Sequence, residues 1–203
     1  MLNLYLLCLI LLASCSKVSE GETINGLRTN LIIESEIFKV SYNEVYEQPN
    51  WIEYRVRSIE KKYDRDGMDF YEVDSVHTSD DDDYYNNKWD KGHLAPAAAF
   101  TDTNENLKAT FSYLNCALQH QSLNRSEWSQ LESNVRKLAK LHGTLSLRID
   151  VEFSDNHFVL PTGASVPSGF TKRITFPNGD EKCYYFLNEK PEENWDQYLL
   201  NCK

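Results

Sequence analysis

Two segments of the chain carry side chains whose types and spacing suit hydrolytic chemistry. The first reads Asp90-Lys91-Gly92-His93-Leu94-Ala95-Pro96. A glycine beside a histidine, closed by a proline, lets the backbone bend sharply and present an imidazole at a strand edge. The second begins with Asn115, 22 residues after His93, and runs through Asn124, Arg125, Trp128 and Leu131 to Glu132. Asn124 and Glu132 are eight apart. At about 100° per residue, eight positions return to within roughly 80° of one another, about 12 Å along a helix axis. An amide near a helix start and a carboxylate two turns later can therefore border one cleft, with Trp128 and Leu131 anchoring the opposite stripe. Taken singly, His93 reads as a structural or surface residue, each amide as a turn or cap, and Glu132 as part of a solvated helix face.

The elements around these segments follow from periodicity. Residues Ile37 to Tyr42 and Trp51 to Arg57 alternate β-branched and aromatic residues as half-buried strands do. Asp80-Asp81-Asp82-Asp83 reads as a solvated loop. Asn104 to Phe111 suits a short helix. Trp128, Leu131, Val135 and Leu138 recur at three- and four-residue steps and predict a longer one, stopped at Gly143. Leu145 to Phe153 alternates as a strand. Arg173-Ile-Thr-Phe and Lys182-Cys-Tyr-Tyr-Phe flank Pro177-Asn178-Gly179-Asp180, a hairpin signal. Pro191-Glu192-Glu193 opens a predicted terminal helix with Trp195, Tyr198 and Leu199 on its apolar side. The sum is an α+β domain with a mostly antiparallel central sheet and flanking helices.

Composition bounds the possibilities. The 203 residues hold 21 Lys+Arg against 31 Asp+Glu, a formal net charge of −10, which argues against whole-surface attraction to nucleic acid or anionic lipid but allows a small positive site. One apolar run, Leu2 to Ala13, has the length of a signal-peptide core and falls short of a membrane span of roughly 20 residues. Leu12-Ala13-Ser14-Cys15 resembles the lipobox of bacterial lipoproteins. The organisation expected is a signal peptide over 1–14, a lipid-anchored flexible tether over 15–30 and one domain over 31–203. Lipidated Cys15 would then hold an exported protein on a membrane of a bacterial cell envelope. Export allows disulfides, and Cys183 with Cys202 is the expected pair.

Taken together, the two segments resemble the DNA/RNA non-specific endonucleases, the ββα-metal (His-Me finger) nucleases. DKGHLAPAAAF, TFSYLNCALQHQSLNRSEW and QLES follow the family pattern in order and spacing. Tyr42 to Tyr54, with Pro49 and Trp51, looks like its early strand pair, and Val166-Pro167-Ser168-Gly169-Phe170-Thr171-Lys172 like its later strand entry. The likeness covers about residues 38 to 187.

The resemblance implies a nuclease acting on DNA and RNA with little sequence preference. His93 would be the general base and Asn124 the direct protein ligand of Mg²⁺, with Mn²⁺ an acceptable substitute. Glu132 would hold a metal-bound water, Asn115 would position the loop bearing His93, and Lys91 and Arg125 would face phosphate. Lys91 stands where Arg is commoner, giving a point charge in place of a two-pronged donor. Ala99, Leu118 and Leu114 replace the usual Asp, Pro and Ser. The stretch Leu145 to Leu160 is short, so one edge of the cleft is expected to be trimmed. The other reading is a catalytically silent, membrane-tethered binding lipoprotein, and an intact His93, Asn124 and Glu132 set speaks against it. HExxH, GxSxG, paired CxxC and glycine-rich phosphate loops are absent from the sequence.

Overall fold

The computed structural model describes residues 18, 19 and 22–202. The expected signal peptide and Cys15 lie outside the described residues. The short opening strands are β1 (Val18–Ser19), β2 (Thr23–Ile24) and β3 (Leu27–Arg28), followed by β4 (Leu31–Glu34), β5 (Phe38–Asn43) and β6 (Gln48–Val56). Further along come β9 (Leu145–Glu152), β10 (Gly169–Thr175), β11 (Glu181–Leu187) and β12 (Leu199–Leu200). Eight of these form one sheet in the order β1-β4-β5-β6-β9-β10-β11-β12, every neighbouring pair antiparallel. The α+β architecture with an antiparallel sheet is as the periodicity indicates.

Alternation assigns the two faces of this sheet. Along β9, Leu145, Leu147, Ile149 and Val151 turn inward. Arg148 on the outer face reaches Glu53 and Asp150 and stacks 4.4 Å from the Trp51 ring. The inner face packs against helix α3 (Ser129–His142), whose Leu131, Val135 and Ala139 continue the stripe begun by Trp128. Gly143 ends that helix with φ of 91°, a left-handed conformation that glycine adopts without steric cost.

Three expectations are corrected. The stretch read as a flexible tether is folded where it is described. Val18 pairs with Ile33, and β2 and β3 form a hairpin around Asn25-Gly26, both at positive φ. Two short strands carry too little apolar alternation to show in the sequence. The predicted terminal helix is a single 3₁₀ turn, Trp195–Tyr198, leading into β12. There the chain is drawn back onto the sheet by Leu199 pairing with Tyr184 and by the Cys183–Cys202 disulfide. The acidic run is not simply solvated either. Asp83 is buried, its carboxylate accepting from the Asp80 amide at 2.9 Å, and Asp81 binds Lys91 and Tyr113.

The disulfide closes a segment with a sequence separation of 19, for which loop-closure entropy gives about 3 kcal/mol. Replacing Cys183 and Cys202 together by Ser is expected to lower unfolding free energy by about that amount. In urea titrations followed by Trp fluorescence, the signal of Trp195 should change ahead of the main transition, because this residue sits on the strap the disulfide secures.

Candidate functional site

The site is built on a separate two-stranded ribbon. Strand β7 (Trp89–His93) pairs antiparallel with β8 (Cys116–His120), and the register places Asp90 opposite Gln119, Gly92 opposite Ala117 and His93 opposite Cys116. A Cβ on Gly92 would lie 2.6 Å from the Gln119 side chain, so the ribbon closes only around a glycine here. The outer edge of β8 is held by side chains instead of another strand. Leu118 donates its amide to Gln48 Oε1 at 3.0 Å, while Asn188 accepts from the His120 amide at 2.7 Å and donates to the Leu118 carbonyl at 2.8 Å. These amide clips fasten the ribbon to the main sheet.

Asn115 is fully buried and closes the loop that follows His93. Its Oδ1 accepts from the Ala95 amide at 2.7 Å, and its Nδ2 donates to the Ala95 and Thr110 carbonyls at 2.9 and 2.8 Å. It is a positioning residue with its hydrogen-bonding capacity spent on backbone.

After β8 come one short turn, α2 (Gln121–Leu123), a π turn over Asn124–Trp128, and then α3. The wide turn seats Asn124 and Arg125 over Asp90. Asn124 Nδ2 donates to Asp90 Oδ2 at 2.9 Å, leaving Oδ1 as the free pole of the amide. Arg125 grips the same carboxylate with Nε at 2.8 Å and Nη2 at 2.6 Å. Four residues on, the Trp128 indole donates to the His93 carbonyl at 3.4 Å. The helix is thus tied to both ends of β7.

Alternation along β7 sends Lys91 and His93 to one face of the ribbon and Asp90 to the face carrying α2 and α3. The His93 ring lies between Phe70 and Phe111, 4.9 Å from each, at the very end of the strand. Burial, with the Arg65 guanidinium in support, pushes its imidazole down to about 4, so it is neutral at pH 7. Lys91 points into Phe70, Tyr84 and Tyr113 with its ammonium 5.4 to 5.9 Å from the ring centres, and it pairs with Asp81. Both expected phosphate contacts, Lys91 and Arg125, therefore have carboxylate partners in this structure.

Glu132 stands beside Trp128, not across the helix from it. Residues i and i+4 share a face, and one neighbouring group touches both side chains. The neighbour that matters most here is one the sequence offers only as the last residue of the later strand entry, with no sign that it meets Glu132. Lys172 occupies an inward-facing position of β10 between Phe170 and Ile174 and is wholly buried. Its Nζ lies 3.6 Å from the centre of the Trp128 ring and 3.9 Å from Glu132 Oε1. Burial pushes Glu132 up to about 7 against the opposing pull of Lys172 and Arg136, and pushes Lys172 down to about 8. A lysine at a core position of a strand is a signal the sequence does contain, since alternation alone predicts an apolar residue there.

Six buried side-chain atoms have no hydrogen-bond partner among the described residues. Five of them belong to His93 Nε2, both amide atoms of Gln119, Glu132 Oε1 and Lys172 Nζ. Gln119 shares the helix-side face of the ribbon with Asp90. Orphaned buried polar atoms are costly and cluster where a ligand, an ion or water completes them.

A β-ribbon feeding a helix, with histidine, two asparagines and a buried glutamate at these stations, defines a nuclease-like ββα unit. Residues 21–203 match the family model described as DNA/RNA non-specific endonuclease, and the chain belongs to that family. It is 30% identical over 171 residues to Nuclease C1 of Cunninghamella echinulata var. echinulata, covering 75% of this chain and 68% of that protein. It is 31% identical over 123 residues to a salivary endonuclease of Lutzomyia longipalpis, and 38% identical over 80 residues to mitochondrial endonuclease G of Homo sapiens. Those two alignments span 29% and 27% of the relatives' own lengths. A crystal structure of an EndoG/EndoGI complex superposes with a TM-score of 0.75 at 22% identity, covering 84% of this chain and 80% of that one, and so shares the fold.

Removing the buried ammonium should move its neighbour's titration in a definite direction. Lys172 lowers the pKa of Glu132, so in Lys172→Met the carboxyl stays protonated to higher pH and its midpoint rises above about 7. Carbon-detected NMR of the glutamate carboxyls across pH 5 to 9 checks this, and an unmoved Glu132 signal would refute the coupling.

Proposed function

We propose that the protein is a metal-dependent endonuclease that hydrolyses phosphodiester bonds of DNA and RNA with little sequence preference. The observation that carries this reading is the set of unpartnered polar atoms on His93, Gln119, Glu132 and Lys172 around one ribbon–helix unit.

The residues suit Mg²⁺. Among the described residues no group of three His, Cys, Asp or Glu side chains can cage an ion. Mg²⁺ sheds water reluctantly and is content with one or two protein ligands. Asn124 would hold it through Oδ1, since its other amide atom is committed to Asp90, and Glu132 would accept a hydrogen bond from the ion's hydration shell. When bound, the ion supplies Lewis acidity and neutralises charge at the phosphate.

The chain's own groups perform the proton step. The phosphodiester crosses the end of the two-stranded ribbon where β7 stops at His93, so that His93 from one face and Asn124 from the other both reach it. His93, neutral at working pH, takes the proton of the water that attacks phosphorus. Asn115 keeps its loop from shifting, and Trp128 holds the His93 carbonyl so that the helix and the base keep a fixed spacing. Lys91 and Arg125 meet phosphate by exchanging Asp81 and Asp90 for substrate oxygens, so the substrate competes with carboxylates already in place. Contacts to phosphate instead of base edges give low sequence preference. Anchoring through a lipidated Cys15 remains part of the proposal. Only Ser16 and Lys17 stand between it and Val18, the first described strand residue, so the domain would sit against the bilayer; loss of acyl labelling in Cys15→Ser is the check.

The decisive experiment incubates plasmid and RNA with the protein in Mg²⁺ or in chelator, beside a His93→Ala control. The wild type should degrade both substrates only with metal, and the variant should lose about 10²- to 10⁴-fold in kcat. Equal degradation by the variant would remove His93 from its role, and equal binding without cleavage would favour the silent binding protein. Activity should also fall steeply between about 20 and about 300 mM salt, because phosphate contacts release counterions; a flat profile would count against phosphate-dominated binding.

A further inference from the structure

A cleft of about 820 Å³ opens beside the start of β7 and belongs to no part of the machinery above. It is lined by Tyr85, Lys88 and Trp89, and by Phe158 and Pro161 from the long connection between β9 and β10. Tyr85 is 81% exposed and Phe158 60% exposed. Large aromatic side chains left exposed around one cleft mark a surface that gains by covering itself with a flat apolar ligand.

We infer that this cleft is a subsite for the unpaired nucleobases of a single-stranded substrate. The inference rests on the nuclease reading and names the form of nucleic acid that this chain takes best. Continuity with the reacting groups is the first argument. Trp89 directly precedes Asp90, its ring meets His120 edge-on at 5.8 Å, and the Lys88 carbonyl accepts from the Gln121 amide at 3.0 Å where α2 begins. Asn124 is three residues beyond. A strand whose phosphate lies over the end of β7 and that runs back along the ribbon for about 13 Å brings bases farther along it to the cleft at the start of β7.

Lining chemistry is the second argument. Asp82 and Asp83 border the cleft and repel a phosphate inside it. The ligand within must be uncharged, flat and polarizable, with polar edges for the exposed amides of Asn86 and Asn156 at the opening. Lys88 is the cation at the wall, its Nζ 4.7 Å from the Trp89 ring centre, and it meets the phosphate linking two inserted bases. Aromatic platforms beside a cation are how sequence-tolerant single-strand binders hold successive bases. In a duplex the bases are paired and stacked, and only their edges are available in the grooves.

The test uses the full domain in chelator, so that binding is read without cleavage. Fluorescence anisotropy compares a labelled oligo-dT with a duplex of equal length, for the wild type and for the double variant Tyr85→Ala/Phe158→Ala. Both positions are exposed, and circular dichroism confirms the fold. The wild type is expected to bind the single strand more tightly than the duplex, and the variant to lose about ten-fold or more on the single strand alone. Equal weakening on both forms, or no weakening, overturns the subsite. If the cleft instead seats a second copy of the chain, the variant changes solution mass while oligo-dT affinity stays the same, which also overturns it. A wild type that cleaves nucleic acid while the variant keeps the single-strand preference defeats the subsite alone. A wild type that neither binds nor cleaves any nucleic acid defeats the nuclease reading itself.

Discussion

An ammonium group with no hydrogen-bond acceptor is pressed against an indole, 3.9 Å from a carboxylate that also lacks a partner on one oxygen. Taking two charges out of water costs several kcal/mol each, and their mutual attraction offsets this only when geometry is good. A desolvated cation over an indole recovers about 2 kcal/mol, which leaves the group in deficit. The sheet supplies the remainder by burying Phe170, Ile174, Phe186 and Tyr54 around it. The same Trp128 that receives the Lys172 ammonium donates to the His93 carbonyl, so this charge pair and the ribbon's end share one rigid plate. A cluster this expensive persists where function needs a carboxylate poised near neutrality rather than a comfortable salt bridge.

Side chains, more than backbone ladders, assemble the unit around that plate. Asp90 joins strand to helix through Asn124 and Arg125, Asn115 closes the loop after His93, and Gln48 and Asn188 fasten β8 to the sheet. Apart from the exposed Arg125, each is a polar group largely withdrawn from water and held with fixed geometry, and such bonds orient more strictly than apolar contact does. Family relationship and fold are therefore consistent with low overall identity, because a handful of orienting residues fixes the unit while the rest of the core has only to fill volume.

Much of the fold was legible. Alternation located β5, β6, β9, β10 and β11, Asn178-Gly179 marked the hairpin, and the Trp128–Leu138 stripe marked the helix. The order of a histidine-bearing strand, an asparagine entering a second strand, and a helix behind a second asparagine resembles the family in the sequence alone. What the sequence could not convey depended on contacts distant along the chain. Lys172 and Glu132 are 40 residues apart, and nothing local says they share a pocket. Asp81 looks like one acid among four until Lys91 and Tyr113 are folded against it. The terminal segment has a helix-starting proline and acids, yet the disulfide and the pairing of Leu199 overrule that local preference. The apolar spacing groups Trp128 with the core stripe, yet it stands four residues before Glu132 on a shared face, and the Lys172 ammonium that touches both comes from another element. Just before α3 the chain widens into a π turn that no apolar spacing announces.

That widening has an evolutionary corollary. A π turn holds one residue more than the α-helix it interrupts, so Asn124–Trp128 behaves as an insertion that the helix has absorbed without breaking. Deleting a single residue there would let an uninterrupted α-helix form, while swinging everything upstream by about 100° about the axis. Drift toward a tidier, sturdier helix and retention of the amide over Asp90 are opposed. A lineage of this chain that regularised the segment would gain robustness and lose the Asn124–Asp90 contact in the same step.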